Sequence, residues 1–168
     1  MCTSEEETGR RLSPFVNYFL HHERRVVNRV DDSVVRETAS RTTMLRRGRR
    51  HTPRWVRLPF ELGKDVVAFG AELQTAGAVA FSDKAVLAQH VGDADKFGDL
   101  EEMDRTLGFF CSAYGVETLE AVLAADMHPG YGTRRLAEER ARGRGIQLVQ
   151  HHHIHVASVM VEARVPLG

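Results

Sequence analysis

Apolar and polar positions change their rhythm near residue 60. Before it, apolar residues come in short bursts set in charged sequence. Residues 1–11 are polar and charged and predict a frayed terminus, Leu12 to Phe19 is a brief apolar stretch broken by Pro14, and Val26, Val27 and Val30 precede Asp31-Asp32-Ser33. Val34-Val35-Arg36 and Thr42-Thr43-Met44-Leu45 have the β-branched content of two short strands joined by a polar turn. Arg46-Arg47-Gly48-Arg49-Arg50 is a dense basic loop. Pro53 and Pro59 bracket an extended segment that reads as a linker, because proline suits neither a helix interior nor a sheet ladder.

After residue 60 the runs become regular. Val66 to Gly70, Ala76 to Phe81 and Ala85 to Gln89 predict three buried strands, with Ser82-Asp83-Lys84 as the hairpin turn between the last two. Leu100, Met103, Leu107, Phe110, Cys111 and Tyr114 fall on one face of a helix. Ala121 to Ala125 predicts a short strand ending in Asp126, Tyr131 to Arg142 a polar helix stopped by Gly143 and Gly145, Ile146 to Val149 another strand, and His151 to Arg164 an apolar helix. The resulting order β-β-β-α-β-α-β-α points to a mixed α/β sheet.

Composition narrows the class. With 168 residues, 42% hydrophobic and 27% charged, the chain is neither disordered, collagen-like nor a coiled coil, and it suits one domain or two small pieces of larger ones. No apolar run approaches the roughly 20 residues that span a bilayer, so no membrane partner is expected. The acidic start, Met1 to Glu7, is not a secretory signal. Cys2 and Cys111 supply neither a zinc ribbon nor a disulfide framework, and a cytoplasmic location is expected. Charge is uneven: residues 1–60 hold 13 Arg and no Lys against 7 acidic residues, and residues 61–168 hold 10 basic against 16 acidic. Such asymmetry marks two units, and the arginine-rich one suits phosphate, since a guanidinium forks onto phosphate oxygens better than an ammonium does.

The sharpest chemical signal is Val149-Gln150-His151-His152-His153-Ile154-His155. A strand would put His151, His153 and His155 on one face. A helix would put His151 and His155 together at i and i+4, and the spacing of Ala157, Met160, Val161 and Ala163 favours it. Two imidazoles so placed can chelate one ion, zinc or iron. A carboxylate and an open position would complete such a site, and either Asp126 or Asp93 beside the pair would make it self-contained. Asp126-Met127-His128-Pro129-Gly130-Tyr131 lies at a strand end, where open α/β sheets collect ligands. Gln89-His90-Val91-Gly92-Asp93 is a second strand end followed by glycine. His90, Asp93, Asp126 and His128 are therefore candidates for a substrate pocket. Ser33 beside the arginine loop could hold phosphate.

In this order, the segments Asp31 to Arg36, Leu45 to Pro53, Gly70 to Thr75, Gln89 to Asp93, Asp126 to Tyr131 and Val149 to His155 resemble those of HypF-type hydrogenase-maturation carbamoyltransferases. The resemblance covers residues 12–166. It implies the C-terminal part of a YrdC-like α+β nucleotide domain over residues 1–59, and the first half of an actin-like (RNase H-like) carbamoyltransferase domain over residues 60–168. It implies ATP and carbamoyl phosphate as substrates, activation as carbamoyl-adenylate, and transfer to the C-terminal cysteine of a partner protein, HypE. The resemblance also implies that His151 and His155 hold a divalent metal, and that Ser33 and Arg46 contact nucleotide phosphate. No residue is singled out as catalytic. Two departures stand out: Gln74-Thr75 replaces the family's Lys-Asn, and Arg50 stands where the family has a glycine. On this resemblance the chain is expected to be a fragment from a truncated or split gene, or one that needs other chains, with the remainder of the protein as a candidate partner chain. A metal-binding or interaction remnant without catalysis, and a tRNA threonylcarbamoyl-transferase-like protein, are the alternatives. Nucleic acid is not expected as a partner in the principal reading.

Overall fold

The computed structural model describes residues 2, 4–24, 26, 30–94 and 97–165. Met1, Thr3 and Val27, used in the sequence reading, lie outside the described residues. Two units separate, Met1–Asp31 and Asp32–Gly168.

The first unit holds helix α1, Glu5–Leu12, where the charged sequence predicted a frayed end. The Ser4 hydroxyl accepts the Glu7 N–H at 3.1 Å, which satisfies one of the orphan donors of the first turn. Glu5, Glu6 and Glu7 occupy that turn and Arg10 and Arg11 the last, so the charges complement the helix dipole. The missed signal is Ser4 followed three residues later by Glu7, the spacing of a capping box. The apolar stretch that follows buries little: Phe15, Tyr18 and Leu20 are exposed.

The second unit begins with a ribbon of β1, Val34–Thr38, and β2, Arg41–Arg46, paired antiparallel with every residue exposed. A six-stranded sheet follows, formed by β3 (Trp55–Arg57), β4 (Val66–Ala68), β5 (Ala78–Phe81), β6 (Lys84–Leu87), β7 (Val122–Asp126) and β8 (Gln147–Val149). Its order is β3-β6-β5-β4-β7-β8. Strands β4, β7 and β8 are parallel and the other pairings antiparallel, which is the mixed α/β sheet expected. Residues 55–57, read as linker from their flanking prolines, are an edge strand paired with β6. Both prolines lie outside the strand, so neither removes one of its ladder bonds.

Helices α2 (Phe97–Tyr114), α3 (Gly132–Ala141) and α4 (His151–Glu162) lie where periodicity placed them. Met103, Leu107, Phe110 and Cys111 of α2 are buried with Val67, Val79, Val86 and Leu123 of the strands, as the helical spacing requires. Ala137 and Ala141 complete that core from α3. An ion pair between Arg140 and Asp104 joins α3 to α2. Gly77 allows close approach of α2: a Cβ there would lie 2.8 Å from a Leu107 methyl carbon. Helix α3 ends with Arg142 and Gly143 at φ 50° and 85°, the left-handed stop that Gly143 signalled. Helix α4 buries no residue; Ile154, Val156 and Val159 are exposed.

Candidate functional site

The parallel strands β4, β7 and β8 share a direction, so the loops after them emerge at one edge of the sheet. Open α/β sheets gather ligands there, because several loops and helix N-termini converge on it. The loop after β4 carries Gly70 to Thr75, the end of β7 and the turn after it carry Asp126 to Tyr131, and β8 runs into α4 at His151.

Asp126 and His151 meet because of strand register. Asp126 is opposite Val149 in the parallel pair, and the Met127 N–H bonds to the Val149 carbonyl at 2.9 Å. Two residues beyond Val149 the chain has turned into α4, which brings the His151 ring over the end of β7. His151 Nδ1 lies 2.7 Å from Asp126 Oδ2. The other carboxylate oxygen, Oδ1, accepts the His128 N–H at 2.9 Å. Asp126 is only 2% exposed, so both oxygens are committed inside the protein. Burial pushes its carboxyl up, but the His128 N–H and the His151 ring outweigh that and hold it below the usual carboxylate range.

One turn along α4, His155 Nε2 lies 3.1 Å from His151 Nε2. The helical reading of the cluster is therefore the observed one, and of its histidines these two face each other at i and i+4. Two imidazole nitrogens bound at the usual ~2.0–2.1 Å to one ion, at angles between octahedral and tetrahedral, lie about 2.9–3.4 Å apart. The observed spacing fits a shared divalent ion. Asp126 occupies the far nitrogen of His151, so it stands behind that ring and not beside the Nε2 pair. Among the described residues no group of three or more His, Cys, Asp or Glu donors is arranged to hold a metal.

The ring of His128 is fixed separately. Its Nδ1 accepts the Gly130 N–H at 3.2 Å, and it stacks on Tyr131 with ring centroids 4.3 Å apart. In the neutral ring this places the proton on Nε2, which makes that atom a donor toward an oxygen.

Asp93 and His90 belong to the loop after β6. Asp93 Oδ1 accepts the Gln74 N–H at 2.8 Å, the Thr75 N–H donates to the Gly92 carbonyl at 2.8 Å and the Thr75 carbonyl accepts the Val91 N–H at 2.9 Å, so this loop is laced to the loop after β4. His90 is half-buried, with its N–H toward the Arg47 carbonyl at 3.4 Å. Ser33 and Arg46 shape the arginine loop. The Ser33 hydroxyl donates to the Arg49 carbonyl at 2.8 Å and accepts the Gly48 N–H at 3.0 Å, while Arg46 Nε donates to the Asp32 carbonyl at 3.3 Å. Arg47 is spent on the carbonyls of His51 and Arg54, both at 3.0 Å. Burial, then the neighbouring Arg54 charge, lowers the pKa of Arg47.

Sequence reasoning passed over Glu72. Its carboxylate accepts the Gly132 N–H at 2.9 Å, at the first residue of α3, while its own carbonyl accepts the Ala94 N–H at 2.8 Å. An acidic residue in a glycine-led loop after a parallel strand was the available signal, since a carboxylate suits the positive end of a helix. Gly132 is required at this junction: a Cβ there would sit 2.9 Å from the Ala94 carbonyl oxygen.

Comparison with known proteins agrees with this architecture. The HypF Kae1-like domain family matches residues 61–162. The chain is 32% identical over 162 residues to the probable carbamoyltransferase HypF of Methanocaldococcus jannaschii, covering 95% of this chain and 21% of that protein. It is 32% identical over 162 residues to the carbamoyltransferase HypF of Synechocystis sp., covering 96% of this chain and 21% of the relative. Among solved structures, T. kodakarensis HypF superposes with a TM-score of 0.87 at 35% identity, covering 98% of this chain and 21% of that one. Full-length HypF in its phosphate- and nucleotide-bound form superposes with a TM-score of 0.85 at 27% identity, covering 99% and 26%. This chain thus spans about a fifth of the length of the curated relatives it matches. With strands β4 to β8, the strand-end turn and the histidine helix all inside the matched region, the chain belongs to the HypF Kae1-like domain family.

Proposed function

We propose that this chain is a segment of a carbamoyltransferase of [NiFe] hydrogenase maturation. In this reading the carbamoyl group travels from carbamoyl phosphate, with ATP and through carbamoyl-adenylate, to the C-terminal cysteine of HypE. The observation that carries the proposal is the His151–His155 nitrogen pair at the carboxyl end of the parallel strands, in a chain that aligns over 95% of its length with a probable carbamoyltransferase. The pair would hold a divalent metal, zinc or iron, through the two Nε2 atoms. A metal there supplies Lewis-acid polarisation of an acyl or phosphoryl oxygen.

The chain's own residues do the rest. His128, with its ring plane held by Tyr131, offers an Nε2 proton to a substrate oxygen. The arginine loop supplies positive charge for nucleotide phosphate, and a solved relative is a phosphate- and nucleotide-bound form. Ser33 serves that role by holding the loop, because its hydroxyl is already engaged at both its donor and acceptor sides.

The test is metal content of the purified chain beside a His151→Ala, His155→Ala double variant. Carbamoyl phosphate cleavage with ATP and HypE is then followed, together with mass analysis of the HypE C-terminus. Stoichiometric zinc or iron present in the wild type and lost in the variant is expected. Metal absent from the wild type, or retained by the variant, sinks the reading. A non-catalytic metal-binding module is the second reading, since the His151–His155 nitrogen pair can hold an ion whether or not carbamoyl transfer takes place. Metal uptake without carbamoyl transfer, even with the remainder of a HypF protein supplied as a second chain, would select it.

A further inference from the structure

The sequence placed Asp126 among residues that line a substrate pocket, and the geometry points to a different use. We propose that Asp126 is a positioning residue whose carboxylate locks His151 in its Nδ1–H tautomer, so that the Nε2 lone pair faces His155. The proposal deepens the metal reading above and takes its purpose from it, although the contact itself stands without any metal.

A neutral imidazole carries one N–H, and the partner of one nitrogen decides the state of the other. An ionised carboxylate has no hydrogen to give, so a nitrogen 2.7 Å from Asp126 Oδ2 must be the donor. In the neutral ring that leaves His151 Nε2 unprotonated, the state a metal ligand needs. It also makes the 3.1 Å approach of the two Nε2 atoms possible, because two N–H groups cannot face each other at that distance. Asp126 cannot reach a substrate as well: it is 2% exposed, and its second oxygen is held by the His128 N–H at 2.9 Å. The carboxylate is therefore a bridge. It ties the turn after β7 to the first turn of α4 across 25 residues of sequence.

Asp126→Asn is the informative change. The asparagine has one carbonyl oxygen, yet two donors point at it, the His128 N–H and the His151 Nδ1–H. If it keeps the backbone bond, its amide NH2 faces Nδ1 and drives the ring proton to Nε2. The full chain is labelled with 15N, and the His151 tautomer is read from imidazole 15N–1H correlations at pH about 8 without metal. Cobalt(II) affinity is then measured by titration of its visible absorption. The wild type is expected to show Nδ1–H, and Asp126→Asn to move toward Nε2–H and bind cobalt about 10–100-fold more weakly. An Nε2–H ring in the wild type, an Asp126→Asn chain with an unchanged tautomer, or an unchanged affinity where the wild type binds cobalt, overturns the assignment. Should the variant not fold, the wild-type tautomer decides. A wild type that takes up no cobalt sinks the metal reading alone, and the tautomer shift then decides the role of Asp126.

Discussion

Gly70 is the residue whose replacement should reveal how tightly the loop after β4 is built. Its φ of 66° lies in the left-handed region, and a Cβ there would sit 2.7 Å from the Ala76 carbonyl oxygen and 3.0 Å from Thr75 Oγ1. Two costs combine in Gly70→Ala. An L-residue in the left-handed conformation costs roughly 1–2 kcal/mol. Overpacking costs about 1–3 kcal/mol, and here it cannot be relieved by a rotamer change because the nearest atom is backbone. Together they destabilise the fold by roughly 2–5 kcal/mol. Gly63→Ala is the control: nothing lies within 4 Å of its Cβ position and its φ is not left-handed, so it should be neutral or stabilising by up to ~1 kcal/mol. Urea unfolding followed by circular dichroism compares the two midpoints at equal slope. A Gly70→Ala loss within ~1 kcal/mol of the Gly63→Ala result would refute the reasoning. The loop matters beyond stability, since it carries Glu72, which holds the start of α3.

Arg50 has φ 75°, so Arg50→Gly should stabilise the chain by about 0.5–1 kcal/mol, seen as a rise in thermal midpoint. Ser33→Ala leaves the buried Gly48 N–H without its acceptor, and should cost about 1–3 kcal/mol, with faster amide exchange confined to residues 46–50. Cys111 is buried, and burial first, with the nearby Asp65 and Glu117 carboxylates, raises its thiol pKa against the lowering effect of Thr118. Native chain should therefore alkylate at Cys2 well before Cys111. The thiol's contribution to stability is full below the unfolded-state pKa of roughly 8.5 and is lost as pH rises through the folded value, because the unfolded chain releases the proton first. Urea midpoints at pH 8 and 10 should fall more for the wild type than for Cys111→Ala.

Much of the second unit was legible because its elements are amphipathic in regular ways. Met103, Leu107, Phe110 and Cys111 announced the buried face of α2, and the strand runs ended in the glycines and polar residues that stop them. The i, i+4 histidines were legible for the same reason: helix geometry alone makes them neighbours. The role of Asp126 was not, since it depends on the β7–β8 register, and nothing local to either strand specifies which residues lie opposite. Helix α1 went unread because its stability comes from a cap and terminal charges and not from a buried stripe. Strand β3 went unread because three exposed residues between prolines carry no alternation to detect. The glycine lost at Arg50 was a usable clue, and the backbone there kept the left-handed angle that a glycine would permit.

That dependence on register has a consequence for how this region can vary. Surface connections ordinarily tolerate insertions and deletions, because their length is not coupled to anything buried. The connection of residues 142–146 between α3 and β8 is different. Side chains along a strand repeat every two residues, so a slip of one would turn the chain entering α4 to the opposite face of the sheet. A slip of two would restore the face but set His153 over Asp126, and one turn further along stands Ala157 in place of a second imidazole. The length of a five-residue turn, exposed at residues 142–145, thus acts as a reading frame for the chemistry beyond it.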